Sequence, residues 1–115
     1  MNRRILVVDD DRAMVKTLCD IFRLRGWEPC GAYSGKEAVA AQRKDKYPVV
    51  LMDIRMADMD GISASKVMRT EDPDLKIFLM TAHTGPYSVR EVVREGTYHL
   101  VPKPIDMQSL LRLLK

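Results

Sequence analysis

Ile5-Leu6-Val7-Val8-Asp9-Asp10-Asp11 is the stretch that decides the fold class: four apolar residues without interruption, then three carboxylates. A half-solvated strand alternates apolar and polar residues, whereas an unbroken apolar run suits a strand covered on both faces. The same pattern recurs at Val49–Met52, which ends in Asp53, and at Ile77–Met80, which ends in Thr81-Ala82. Trp27–Tyr33 and Tyr98–Val101 are weaker strand candidates, the second running into Pro102-Lys103-Pro104.

Helical patterns fill the intervals. Met14, Leu18, Ile21 and Phe22 share a helical face, and Gly26 follows as a stop. Ser34-Gly35-Lys36-Glu37 reads as a capping box opening a helix to about Lys44, with Glu37 reaching back to the helix start. A third helix runs from Gly61 to about Thr70 on a weak stripe of Ile62 with Val67 or Met68, and Pro73 limits it. Pro86 suits the first turn of a fourth, carrying Val89, Val92 and Val93 and ended by Gly96. Met107, Leu110, Leu111 and Leu114 mark a fifth. Strand and helix thus alternate five times, which predicts an α/β fold with a parallel sheet, right-handed crossovers and helices on both faces.

At 115 residues the chain is expected to form a single domain, 1–115, with a core that needs no staple. Its last helix is short, so the domain either ends tightly or was cut from a longer chain with an output domain. Hydrophobic residues at 46% and charged residues at 30% exclude a disordered tail, a collagen-like chain or a coiled coil. The longest apolar run is four residues, too short for a membrane span. The Arg3-Arg4 start resembles a signal peptide only briefly before Asp9 interrupts it, so a cytoplasmic location is expected. Cys19 and Cys30 make neither CxxC nor zinc spacing and read as reduced thiols, Cys19 packed on a helix. The net charge of +3 comes from scattered cations and aromatic content is only 6%, which argues for a solvated surface and against direct nucleic-acid binding.

The polar groups of chemical interest all follow strands. In an open parallel sheet the carboxyl ends share one edge, where ligand crevices form. Asp9, Asp10, Asp53, Thr81 and Lys103 are therefore expected in one pocket. Two carboxylates at about 4 Å repel by roughly 4 kcal/mol at an effective dielectric of 20, so the cluster calls for a cation. Hard oxygen donors favour Mg²⁺ or Mn²⁺. Such a cation uses one or two carboxylates, leaving Asp53 to attack phosphorus and form an acyl phosphate. Of the three equatorial oxygens of a transferring phosphoryl group, one suits the cation, one Lys103, and one the Thr81 hydroxyl with a backbone N–H. Singly, each feature has an ordinary explanation: Asp-Asp-Asp can start a helix, Asp53 a turn, Thr81 a cap, and Lys103 can be a solvated cation. Their order at successive strand ends is what points to chemistry.

These residues resemble the receiver domain of two-component response regulators. The resemblance covers the whole chain through Ile5–Asp11, Leu51-Met52-Asp53-Ile54-Arg55-Met56, Met59-Asp60-Gly61, Met80-Thr81-Ala82, Gly96 and Lys103-Pro104. It implies a flavodoxin-like, doubly wound, five-stranded parallel sheet of strand order 2-1-3-4-5. It implies Asp53 as phosphoacceptor, taking the phosphoryl group from the phosphohistidine of a sensor histidine kinase. It implies Mg²⁺ (or Mn²⁺) held by Asp10, Asp53 and the Arg55 carbonyl, with Asp9 acting largely through water. Thr81 would be the switching hydroxyl, Lys103 the partner of a phosphoryl oxygen, and Lys103-Pro104 a cis peptide. The implied activity is a switch that phosphorylates itself and slowly hydrolyses its acyl phosphate, not a turnover enzyme.

The departures matter too. Leu100 stands where receivers carry an aromatic, beside Tyr98 and His99, so activation is expected to rely on Thr81 and the segment after it, including Ala82 and His83. Ala57 replaces the usual proline, Thr97 the usual alanine after Gly96, and Asp58 adds a carboxylate read as solvated. Arg55 and His83 flank the path of attacking water in receivers. Candidate output residues are His99, Leu100, Arg90, Arg94, Gln108 and Arg112, facing an output domain or downstream protein, or a second copy in a phosphorylation-dependent homodimer. A phosphorylation-independent interaction module is the alternative, supported by Leu100 alone. A phosphohydrolase is disfavoured because Arg55 is a poor proton donor and the chain leaves no room for a cap.

Overall fold

The unbroken apolar runs are strands, and both faces of each are covered. The computed structural model describes residues 2–56, 58–81 and 98–114. Its elements in chain order are β1 (Arg4–Val8), α1 (Arg12–Leu24), β2 (Glu28–Ala32), α2 (Gly35–Asp45), β3 (Val49–Asp53), α3 (Gly61–Glu71), β4 (Lys76–Thr81), β5 (Tyr98–Pro102) and α4 (Met107–Leu113). The helix expected over 86–96 lies outside the described residues. The five strands form one parallel sheet in the order β2-β1-β3-β4-β5, the flavodoxin-like order the resemblance implies.

Alternation along the strands divides the core in two. Leu6, Val8, Val50, Met52, Ile77 and Leu79 pack against Ala38 and Val39 of α2 and Ala64 and Met68 of α3. Ile5, Val7, Leu51, Phe78 and Met80 face the other way, against Val15, Leu18, Cys19 and Phe22 of α1 and Leu110 of α4. Cys19 and Cys30 are both free thiols and pack on opposite faces. β2 is one of the two edge strands, which explains its weak apolar signal: Pro29 is tolerated there, and Gly31 admits the close approach of Val15 from α1.

On α1 the stripe differs from the sequence reading, and on α3 the structure chooses between the two residues that reading left open. On α1 the buried stripe is Val15, Leu18, Cys19 and Phe22, while Met14 and Ile21 are only half-buried. That face is the one packed on the sheet, where Val15 lies against Gly31 of β2. On α3 Met68 is buried and Val67 lies outward. The Gly26 stop is a Schellman motif: Gly26 at φ 86° donates to the Arg23 carbonyl, Trp27 donates to that of Phe22, and the two rings meet edge to face at 6.3 Å. The capping box at α2 is present with one shift: Ser34 accepts from Glu37 N–H, but Glu37 reaches back to Tyr33 N–H. Among the described residues no helix is long and apolar enough to cross a membrane.

The burial on α1 is testable. Phe22→Ala is expected to cost about 3–5 kcal/mol by urea denaturation, and Leu24→Ala, at the exposed end of the same helix, less than about 0.5 kcal/mol.

Candidate functional site at the carboxyl edge

The run Asp9-Asp10-Asp11 divides its labour. Asp9 stays on the ladder, its N–H donating to Ala32 at 3.2 Å, and its side chain is 1% exposed. Its Oδ1 accepts the Asp11 N–H at 3.0 Å and its Oδ2 accepts from Lys103 Nζ at 3.0 Å. Asp10 faces solvent. Asp11 is the N-cap of α1, accepting from Met14 N–H at 3.1 Å. The ordinary explanation of this run, a helix cap, holds for Asp11, while Asp9 and Asp10 belong to a cluster of carboxylates.

Asp53 ends β3 and is 8% exposed. Its Oδ2 lies 3.3 Å from Lys103 Nζ, and its Oδ1 accepts a long bond from Arg55 N–H at 3.4 Å. The chain leaves the strand through a tight closure in which Gly61 N–H donates to the Ile54 carbonyl at 2.7 Å. A side chain at Gly61 would collide with the Asp53 carbonyl, so the start of α3 can lie this close only with glycine there. Lys103 reaches the site from β5. Its N–H donates to the Thr81 carbonyl at 2.9 Å, and Lys103-Pro104 is cis, as the resemblance implies. Thr81 ends β4 half-buried, one step beyond Met80, the register partner of Asp53.

Of the other predicted residues, Arg55 is exposed beside Asp53. Leu100 is half-buried against the α2/α3 cluster. His99 points to the opposite face and stacks its ring on Phe78 at 4.8 Å, while Gln108 and Arg112 are exposed. Ala82, His83, Arg90 and Arg94 lie outside the described residues, as do Ala57 and Thr97.

One ammonium shared by two buried carboxylates sets the electrostatics. Burial raises the Asp53 carboxyl above its ordinary range, the Asp9 charge raises it further, and Lys103 only partly offsets both. Burial works against the Lys103 charge, but hydrogen bonding to Asp9 and attraction to both carboxylates push its ammonium above the ordinary lysine value. Both shifts have one origin: Lys103 has two anions to serve, and Asp53 has a share of one cation.

Oxygens of Asp9, Asp10 and Asp53 lie within 4.8 Å of one another. Three carboxylates facing one ammonium leave an excess of two negative charges. The donors are all hard oxygens, with no thiol or imidazole among them. This set fits a Mg²⁺-class dication. A separate cavity of about 520 Å³ lies at the other edge of the sheet, near Trp27, Pro48, Leu75 and Leu111, and contains none of these residues.

Residues 5–115 match the family model of the response regulator receiver domain. The chain belongs to that family. The receiver is 36% identical over 111 residues to the transcriptional regulatory protein ZraR of Salmonella typhimurium, matching 96% of this chain and 25% of ZraR. It is 39% identical over 107 residues to the regulatory protein AtoC of Escherichia coli, matching 93% of this chain and 23% of AtoC. It thus spans about a quarter of the length of these curated relatives. Its fold superposes on the chemotaxis protein CheY4 of Vibrio cholerae with a TM-score of 0.89 and 26% identity, over 99% of this chain and 97% of CheY4. The receiver is therefore a phosphoacceptor module of two-component signalling.

Asp58 is exposed and outside the carboxylate cluster, in keeping with the sequence reading, but it has partners that reading did not foresee: its carboxylate accepts from Gly35 N–H at 3.2 Å and Lys36 N–H at 3.1 Å, at the start of α2. The Ser34 cap was legible; a partner 23 residues away was not.

The raised Asp53 carboxyl makes a signed prediction. The folded state holds that proton more tightly than the unfolded chain, so ionisation of Asp53 costs stability as pH rises above the ordinary carboxylate range. In EDTA at pH 7, Asp53→Asn is expected to melt about 2–5 °C above the parent, with the gap closing as pH falls through the raised range of the folded Asp53 and gone below about 4. A lower melting temperature at pH 7 would mean that the Lys103 attraction outweighs burial and the Asp9 repulsion.

Proposed function

We propose that the receiver takes a phosphoryl group from the phosphohistidine of a sensor histidine kinase onto Asp53, switches through Thr81 and then slowly hydrolyses the acyl phosphate. The observation that carries this is Lys103 Nζ held between Asp9 and Asp53 at 3.0 and 3.3 Å. An Asp53 oxygen forms the new bond to phosphorus as the phosphorus–nitrogen bond of the donor breaks, and its electron pair returns to the imidazole.

Asp10, Asp53 and the Arg55 main-chain carbonyl would hold Mg²⁺ or Mn²⁺, with Asp9 contributing through water. Both Asp9 oxygens are already engaged, which supports that indirect part. When bound, the cation supplies neutralising charge for the carboxylates and for a phosphoryl oxygen. In this reading Lys103 would exchange its Asp53 contact for a second phosphoryl oxygen while keeping Asp9, and the Thr81 hydroxyl would move inward to the third. The low exposure of Asp53, 8%, fits a slowly hydrolysed acyl phosphate.

Leu100 is half-buried against the α2/α3 cluster, and the neighbouring His99 ring stacks on Phe78. Switching therefore relies on Thr81 and the segment after it, without an aromatic ring that swings inward. Exposed His99, Gln108 and Arg112 contribute to the output surface. Two groups of relatives are named transcriptional regulators or regulatory proteins, which supports an output domain or downstream protein acting on transcription. A phosphorylation-dependent homodimer is one form that output takes, and a cytoplasmic location suits a histidine-kinase donor.

The test is intact mass after incubation with Mg²⁺ and acetyl phosphate. One added phosphoryl group is expected on the parent, and none on Asp53→Asn or in EDTA. Lys103→Ala is expected to slow adduct formation by roughly 100-fold or more. No adduct on folded parent protein, with no response to a beryllofluoride mimic, would favour the phosphorylation-independent interaction module.

A further inference from the structure

The segment between β3 and α3 carries Arg55, three residues before Asp58. It is pinned at two places. Gly61 N–H closes it on the Ile54 carbonyl at 2.7 Å. Asp58 ties it sideways to the first turn of α2, one carboxylate oxygen on Gly35 N–H and the other on Lys36 N–H. Met59 then lies against Gly35 so closely that a methyl group there would sit 2.8 Å from the Met59 carbonyl oxygen. Polar strap and steric contact occur side by side. Desolvation opposes the Asp58 charge, yet donation from the N–H groups of Lys36, Gly35, Met59 and Asp58 itself outweighs it and holds the carboxyl below the usual carboxylate range. The ion is thus kept as an acceptor at neutral pH.

We propose that Asp58 is a positioning residue: by strapping this segment to the N-terminus of α2, it holds the Arg55 main chain ready for the cation at Asp10 and Asp53. The inference rests on the receiver function proposed above. It also implies a path outward, because any shift of Arg55 on cation binding pulls on the first turn of α2 through Asp58. Outer contacts of this kind govern how well an inner ligand set is preorganised.

The experiment compares the parent, Asp58→Ala and Asp58→Asn by Mg²⁺ titration calorimetry, with amide NMR of Gly35, Lys36 and Arg55. Asp58→Ala is expected to weaken Mg²⁺ binding roughly tenfold, shift all three amides and leave the melting temperature within a few degrees. Asp58→Asn keeps one acceptor oxygen and loses the charge, so it is expected to fall between the two. Equal losses in Asn and Ala, both abolished by added salt, would mean a distant charge effect and overturn the proposal. So would an Asp58→Ala protein that binds Mg²⁺ as tightly as the parent while the parent still accepts a phosphoryl group. A parent that takes up neither Mg²⁺ nor a phosphoryl group would overturn the receiver function, and this role with it.

Discussion

Two carboxylates buried at adjacent strand ends cannot both stay ionised without a cation between them, and Lys103 supplies it. That contact spans 94 residues of sequence and joins the first strand to the last. It reaches Asp9 from beyond β5, across the ends of β3 and β4, so the order of the sheet is a condition for it. The attraction is incomplete by construction: one positive charge serves three carboxylates. The surplus negative charge keeps Asp53 proton-hungry and the site ready for a dication. A fully neutralised cluster would be more stable and chemically inert.

The sheet makes the edge possible by hiding everything else. Ile5–Val8, Val50–Met52 and Ile77–Met80 are essentially inaccessible to water, with helices on both faces. A strand so covered has no face on which to carry polar side chains, so these collect where the strand ends. Apolar burial and the placement of the site follow from the same arrangement. The backbone at that edge is tight: Gly61 allows α3 to begin against the Asp53 carbonyl, and Lys103 keeps a ladder-like bond to Thr81.

The segment leaving β3 connects chemistry to surface. Its start touches Asp53 through Arg55, its middle holds α2 through Asp58, and its end is the Asp60 cap of α3, which accepts from Ser63 N–H at 2.8 Å. Three acidic residues, Asp53 facing Lys103, Asp58 on the first turn of α2 and Asp60 as a cap, lie within eight residues of chain. Their chemistry is the same carboxylate; their partners differ because each meets a different element.

Sequence by itself determined the alternation of strands and helices, the strand-end position of Asp9, Asp10, Asp53, Thr81 and Lys103, and most helix starts and stops. These are legible because they depend on local period, on caps a few residues apart and on glycine or proline at fixed offsets. The strand order came from family resemblance, since alternation alone permits several. Only the tertiary structure decided that Val15 and Cys19, rather than Met14 and Ile21, complete the buried stripe of α1, that Asp11 caps while Asp9 binds Lys103, and that Asp58 grips α2. The rotation of a helix, the sharing of one ammonium and the choice among neighbouring carboxylates depend on groups tens of residues apart in sequence. Such partners meet only when the sheet has closed, and no local pattern in the chain encodes the distance between them.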